Sequence, residues 1–163
     1  MIPATGRIPV RHMTALAVLM LTVPLFADHQ HVVFDDKTDF SGLKTFVIRE
    51  GRATTTRPEL NNTLLFKKVE DAIRSQLSAK GLSESQNHPD VSVDFSLGED
   101  RPSGPSVTFH QGTLVIELTK PDDRSLVWHG VYTDENSSPG KFAEKLPADV
   151  KKILSDYPPK KKK

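Results

Sequence analysis

In the run Val91-Ser92-Val93-Asp94-Phe95-Ser96-Leu97 every second residue is apolar and every residue between them is polar. Side chains alternate faces only along an extended backbone, so this run buries its four apolar groups together as a strand and at no other period. Thr113–Thr119 repeats the pattern, with Leu114, Ile116 and Leu118 on one face and Val115 and Glu117 on the other. A chain with two such strands must build a sheet and cover one of its faces. Weaker runs at His31–Asp36, Thr45–Arg49, Ser106–His110 and Ser125–Tyr132 predict the remaining strands. Gln111-Gly112 stands at hairpin distance between two runs, and Pro121-Asp122-Asp123 supplies turn chemistry before the last one.

The cover comes from two segments with helical period. Between Thr63 and Lys80, Leu65, Val69, Ala72, Ile73, Gln76 and Leu77 fall on one stripe, away from Lys67, Lys68, Glu70, Asp71 and Arg74. Asn62 is placed to cap the start, and Gly81 to end the helix in the left-handed region. Near the C-terminus Leu146, Val150, Ile153, Leu154 and Tyr157 repeat at the same spacing. Pro147 suits only a first turn there, and Pro158-Pro159 stop the helix. Arg52–Leu60 and Gly98–Pro105 read as loops. The order β-β-α-β-β-β-β-α predicts an α+β fold: a two-layer sandwich of a mainly antiparallel sheet with two helices on one face. On this reading Trp128 joins Leu126 on the core side, and Val33, Val47, Val115, Val127 and Val131 lie on the outer face.

The 163 residues suffice for one domain, and 36% of them are hydrophobic, which places the chain well above disordered sequences. The ends are set apart by composition. Met1–Ala27 reads as a secretory signal peptide: Arg7 and Arg11 precede the uncharged apolar run Met13–Phe26, and Ala27 is a small residue at a cleavage point. That run of fourteen residues spans about 21 Å as a helix, short of the ~30 Å hydrocarbon core, and contains Pro24. Residues 28–159 form the single domain and Lys160–Lys163 a basic tail. The formal charge of the whole is +1, but without Arg7, Arg11 and the tail, 16 basic side chains face 21 acidic ones. The net charge of the body is therefore −5, which argues against a nucleic-acid binder. The chain has no cysteine, which excludes disulfides, iron–sulfur clusters, cysteine zinc sites and thiol nucleophiles.

Several motifs in chain order resemble the bacterial domain of unknown function 4136 family, found in periplasmic proteins and lipoproteins of Gram-negative bacteria. They are Val33-Phe34-Asp35, Asp39-Phe40-Ser41 with Lys44-Thr45-Phe46, and the helix from Leu64-Leu65 to Lys80-Gly81-Leu82. They continue with Pro89-Asp90-Val91, Gly112–Leu118, Leu126-Val127-Trp128, Gly130 and Tyr157-Pro158-Pro159. The resemblance implies an envelope location, here periplasmic, and supports the fold order. It brings no catalytic residues. The sequence departs from the family at His129, where Arg is usual, in the short Gly98–Pro105 segment, and in lacking a lipobox cysteine, so no stable membrane anchor is carried over.

Chemistry is sparse. His110, His129 and Glu117 share the outer face by parity, but a Gln111-Gly112 hairpin would set the histidines about 12 Å apart. That is too far for one zinc, whose nitrogen ligands sit at ~2.1 Å. His129 is expected opposite Val115 or Glu117, and a surface His129–Glu117 contact is favoured instead. His29 and His31 would follow a new N-terminus at Asp28, where an amine and imidazoles can grip Cu(II); a frayed terminus is the competing explanation. Asp35-Asp36 and Asp122-Asp123 adjoin turns and read as solvated. No G-x-S-x-G, P-loop or G-x-G-x-x-G motif is present. The sequence thus assigns no catalytic, metal or cofactor-binding residue and implies no cofactor. The lysine tail could meet anionic lipid, but four lysines do not anchor a protein. The expected function is a non-enzymatic binding or structural module of the envelope, meeting a protein partner through the outer sheet face or an edge. A periplasmic hydrolase and a carrier with an apolar pocket between helices and sheet are the alternatives.

Overall fold

The computed structural model describes residues 29–55, 57–100, 111–135 and 137–160. In chain order the elements are β1 (His29–Phe34), a 3-10 turn at Phe40–Gly42, β2 (Thr45–Ile48), β3 (Arg52–Ala53) and α1 (Thr63–Ala79). They continue with β4 (Ser83–Glu84), β5 (Val91–Asp100), β6 (Gln111–Thr119), β7 (Leu126–Asp134) and α2 (Pro139–Ser155). One sheet holds every strand in the order β1-β7-β6-β5-β2-β4, with β3 beside β5. The α+β sandwich is as the sequence predicts.

The sheet is mixed. β1, β7, β6 and β5 form an antiparallel set, whereas β2 runs parallel to both β5 and β4, and β3 runs parallel to β5. The cause is α1. A strand followed by a helix re-enters the sheet from the same end, so β2–α1–β4/β5 is a crossover and its strands are parallel. Asp90 marks the re-entry. Its carboxylate accepts from the N–H groups of Lys44 and Thr45 (both 2.8 Å) and from the Thr45 hydroxyl (2.9 Å). These bonds, the Lys44 N–H first, hold its carboxyl below the usual range.

Three expected boundaries move. Gln111-Gly112 is no turn: β6 begins there, and Gly112 pairs with Glu99 and Asp134. Gly98–Asp100 likewise extend β5, and the expected strand Ser106–His110 lies outside the described residues. α2 starts two turns before Pro147, at Pro139 following Ser138, so Pro147 sits on the exposed side inside the helix. Proline at N1 accounts for the earlier start. Buried Asp134 directs the chain into it, accepting from the Ser137 N–H and from Lys145 Nζ, both at 3.0 Å. In α1 the Asn62 side chain caps Leu65 N at 2.8 Å, and Gly81 takes φ +89°. Leu65, Val69, Ile73 and Leu77 are buried, the stripe read from the sequence.

The core lies between the helices and the inner sheet face, built from Val91, Val93, Phe95, Leu97, Leu114, Ile116, Leu118 and Trp128. Leu126 is 47% exposed rather than beside Trp128 in the core. The register shifts opposite Leu118/Thr119, which inserts Val127 between the paired residues; Val127 is buried and Leu126 slides out. α2 comes close enough to the sheet to need glycine beneath it. A Cβ on Gly112 would strike the Phe142 ring, and one on Gly130 would strike Ile153 and the Trp128 ring. Phe34, Phe40, Tyr157 and Trp128 form a chain of edge-to-face contacts with centroids 5.8–6.2 Å apart. That chain fastens β1 and the C-terminal segment to the sheet.

Gly130→Ala should lower stability by about 1–3 kcal/mol, because the added methyl meets packed side chains on two sides; urea denaturation checks it. Tyr157 has a second consequence. Its hydroxyl is buried with no partner among the described residues, and burial, helped by the Asp90 charge, pushes its pKa up to about 12. The neutral form is favoured in the fold, so this contribution is complete below the ordinary value of 10.0 and is lost as pH rises through about 12. Tyr157→Phe should remove that alkaline loss and raise stability near neutral pH by about 1 kcal/mol, measured by thermal melts across alkaline pH.

Candidate functional site

Both helices cover the inner sheet face, and no described element packs on the outer one. Reading across the outer face, His31, Val131, Val115, Ser96 and Arg52 form one row in register, and Val33, His129, Glu117 and Asp94 the next. Period-two alternation makes the polar residues of each strand line up this way. His129 stands directly opposite Glu117, with Nδ1 3.0 Å from Oε1, as the strand parity predicted.

The valines do not form one patch. Val115 and Val131 are direct partners and Val33 lies diagonal to Val131, but Val47 is paired with Ser92 beyond them and Val127 is buried. The face is instead charged at its centre. Asp94 and Glu117 are direct cross-strand partners, and like charges so placed repel. Around them lies a depression of about 230 Å³ lined by Arg49, Arg52, Asp94, Glu117, Thr119 and Arg124. Each arginine arrives from a different place. Arg49 continues the β2 ladder, its N–H donating to Val93 O at 2.9 Å, so its side chain shares the face of Val47. Arg52 pairs with Ser96 from β3, and Arg124 closes the turn between β6 and β7.

Arg49 donates to the Ser92 hydroxyl at 3.1 Å, and no guanidinium of the three makes an ion pair with a described residue. Arg124 has φ +56°, a left-handed conformation that a residue with a Cβ adopts at a cost of roughly 1 kcal/mol. Glycine or asparagine would suit the turn better, so this position keeps its arginine against local backbone preference.

The other sequence candidates lie apart. His29 Nε2 is 3.5 Å from Glu135 Oε1 on the edge strand, and His31 is in the row beside Val131. His110 lies outside the described residues, and the hairpin from which its distance to His129 was reckoned is not formed. Asp35 accepts from the Lys37 N–H and the Thr38 hydroxyl, and Asp123 from the Ser125 N–H, so both acidic pairs serve turns. Among the described residues no three His, Asp or Glu side chains gather as metal ligands, and no helix is long and apolar enough to cross a membrane. Of the tail, Lys160 lines a hollow of about 360 Å³ with Val32, Phe34, Pro158 and Pro159, beside β1.

A family model described as Domain of unknown function (DUF4136) matches residues 30–159. The chain belongs to the DUF4136 family. Its fold is similar to the crystal structure of a DUF4136 family protein from Bacteroides thetaiotaomicron, with TM-score 0.58 and 14% identity over 80% of this chain and 96% of that one. It is similar to a PDZ domain protein from Parabacteroides distasonis, with TM-score 0.63 and 16% identity over 83% of this chain. This chain spans 37% of that protein's length. A PelC dodecamer from Paraburkholderia phytofirmans also matches, with TM-score 0.52 and 16% identity over 79% of this chain and 95% of that one. At these identities the likeness is one of fold. Among curated proteins none matches the chain.

In this DUF4136 domain the sequence patterns located Glu117 and His129 but not the arginines. Arg49 follows a strand, Arg52 lies in what reads as a loop, and Arg124 occupies a turn. Only the isolated basic residue after Pro121-Asp122-Asp123 offered a signal. Arg124→Asn should raise stability by about 0.5–1 kcal/mol, since asparagine tolerates the left-handed backbone, and calorimetric melting checks it.

Proposed function

We propose that this DUF4136 protein is an exported, non-enzymatic binding module of the bacterial envelope that works through its outer sheet face. The reading rests on one observation above all: the helices seal one side of the sheet, and the other side carries three arginines without ion-pair partners among the described residues. Local backbone preference does not call for Arg124 there, because it holds an unfavourable backbone angle. The basic, apolar and small-residue succession of Met1–Ala27 supports export to the periplasm. The PelC of similar fold is a dodecamer, and assembly of this chain through its outer face is part of the same reading.

Photo-crosslinking in cells tests the reading. A crosslinking amino acid at Val33 or Ser96, on the outer face, should capture an adduct in the periplasmic fraction, while one at Lys67 on the exposed side of α1 should not. Adducts formed from Lys67 alone, or precursor retained uncleaved in the cytoplasm, would remove it.

A further inference from the structure

The depression on the outer face has a chemistry of its own. Guanidinium groups are planar forks that match the two oxygens of a carboxylate or phosphate, and they remain charged at every physiological pH. Here Arg49, Arg52 and Arg124 come from three elements to line one hollow of about 230 Å³. Of the three, Arg49 alone makes a side-chain hydrogen bond among the described residues, to Ser92. Three cations that share a hollow without ion-pair partners favour an anion between them. The floor limits which anion. Asp94 is half-buried and without a partner among the described residues, and Glu117 has only one oxygen taken, by His129. These carboxylates accept hydrogen bonds and repel negative charge, so they disfavour a multiply charged phosphate. They suit a molecule that brings O–H or N–H donors beside its single negative group. Thr119 adds a hydroxyl at the wall. The volume is smaller than that of a drug-sized pocket, which fits a ligand of one small ring or a short chain.

We propose that this hollow binds a small carboxylate carrying hydrogen-bond donors: Arg49, Arg52 and Arg124 hold its carboxylate, and Asp94 and Glu117 accept from its hydroxyl or ammonium groups. The proposal deepens the binding-module reading and rests on it. Sugar acids and amino acids share this chemistry and differ in the donor they present.

An amide-resolved NMR titration of the isolated protein with sodium D-glucuronate, L-alanine and inorganic phosphate tests it. At least one of the two carboxylates should shift the amides of Arg52, Asp94, Thr119 and Arg124 and saturate at millimolar concentration, more tightly than phosphate. Tighter glucuronate identifies hydroxyl donors as the feature read, and tighter alanine an ammonium. Arg124→Asn, which suits its turn, and Arg52→Gln should each weaken that binding at least tenfold, whereas Lys67→Gln on α1 should leave it unchanged. Saturation by neither carboxylate, phosphate binding as tightly, or affinity unaltered in both arginine variants would overturn the proposal. If Val33 and Ser96 still crosslink in that case, the ligand assignment alone has failed; if they do not, the binding-module reading has failed with it.

Discussion

The close seating of α2 on the sheet is the contact on which the rest of the fold depends. Phe142 packs over the backbone at Gly112, and Ile153 with the Trp128 ring over Gly130, so one helix clamps two neighbouring central strands. Side chains at those two positions would hold the helix away and open the core between α2 and Ile116 or Leu114. With α2 seated, Tyr157 reaches Trp128 and Phe40, and Phe40 reaches Phe34, which ties the edge strand β1 to the C-terminus. Gly112 is therefore a packing glycine, although its neighbour Gln111 gives the pair the look of a turn.

The same arrangement decides where polar chemistry can accumulate. Because both helices lie on one face, residues of opposite parity on β5, β6 and β7, the bulged Val127 excepted, face away from the core. Ser96, Val115, Glu117, His129 and Val131 are partly exposed for this reason. The parallel crossover then sets β2 and β3 against β5, which carries Arg49 towards Asp94 and Arg52 to the neighbouring row of Ser96. A wholly antiparallel sheet of the same strands would have placed them elsewhere. The site and the mixed topology thus have one cause, the helix inserted between β2 and β5.

Two features of the outer face run against local stability. Asp94 opposite Glu117 sets like charges together, and Arg124 occupies a left-handed turn position where a Cβ is unfavourable. Elsewhere several positions follow local preference: Asn62 caps α1, Gly81 ends it, Pro139 opens α2 and Asp90 ties β2 to β5 with three hydrogen bonds, although His88 is also left-handed and Pro147 lies inside α2. On the proposed binding face, such features would leave groups unsatisfied until a ligand arrives.

The sequence by itself determined the α+β class, the period-two strands over Val91–Leu97 and Thr113–Thr119, the buried stripe of α1 with both its caps, and the outward parity that pairs His129 with Glu117. These are local matters, written in spacing and in the conformational preferences of single residues, and they need no partner to be read. The parallel direction of β2, the strand nature of Gln111-Gly112, the exchange of Leu126 for Val127 and the early start of α2 were settled only in three dimensions. Each depends on contacts between segments far apart in the chain, such as the Phe142 ring above Gly112, or on a register shift one strand imposes on the next. The arginine-lined hollow belongs with them. Arg49, Arg52 and Arg124 share no spacing or motif, and they meet only because tertiary pairing brings a strand end, a short bridge and a turn to one side of the sheet.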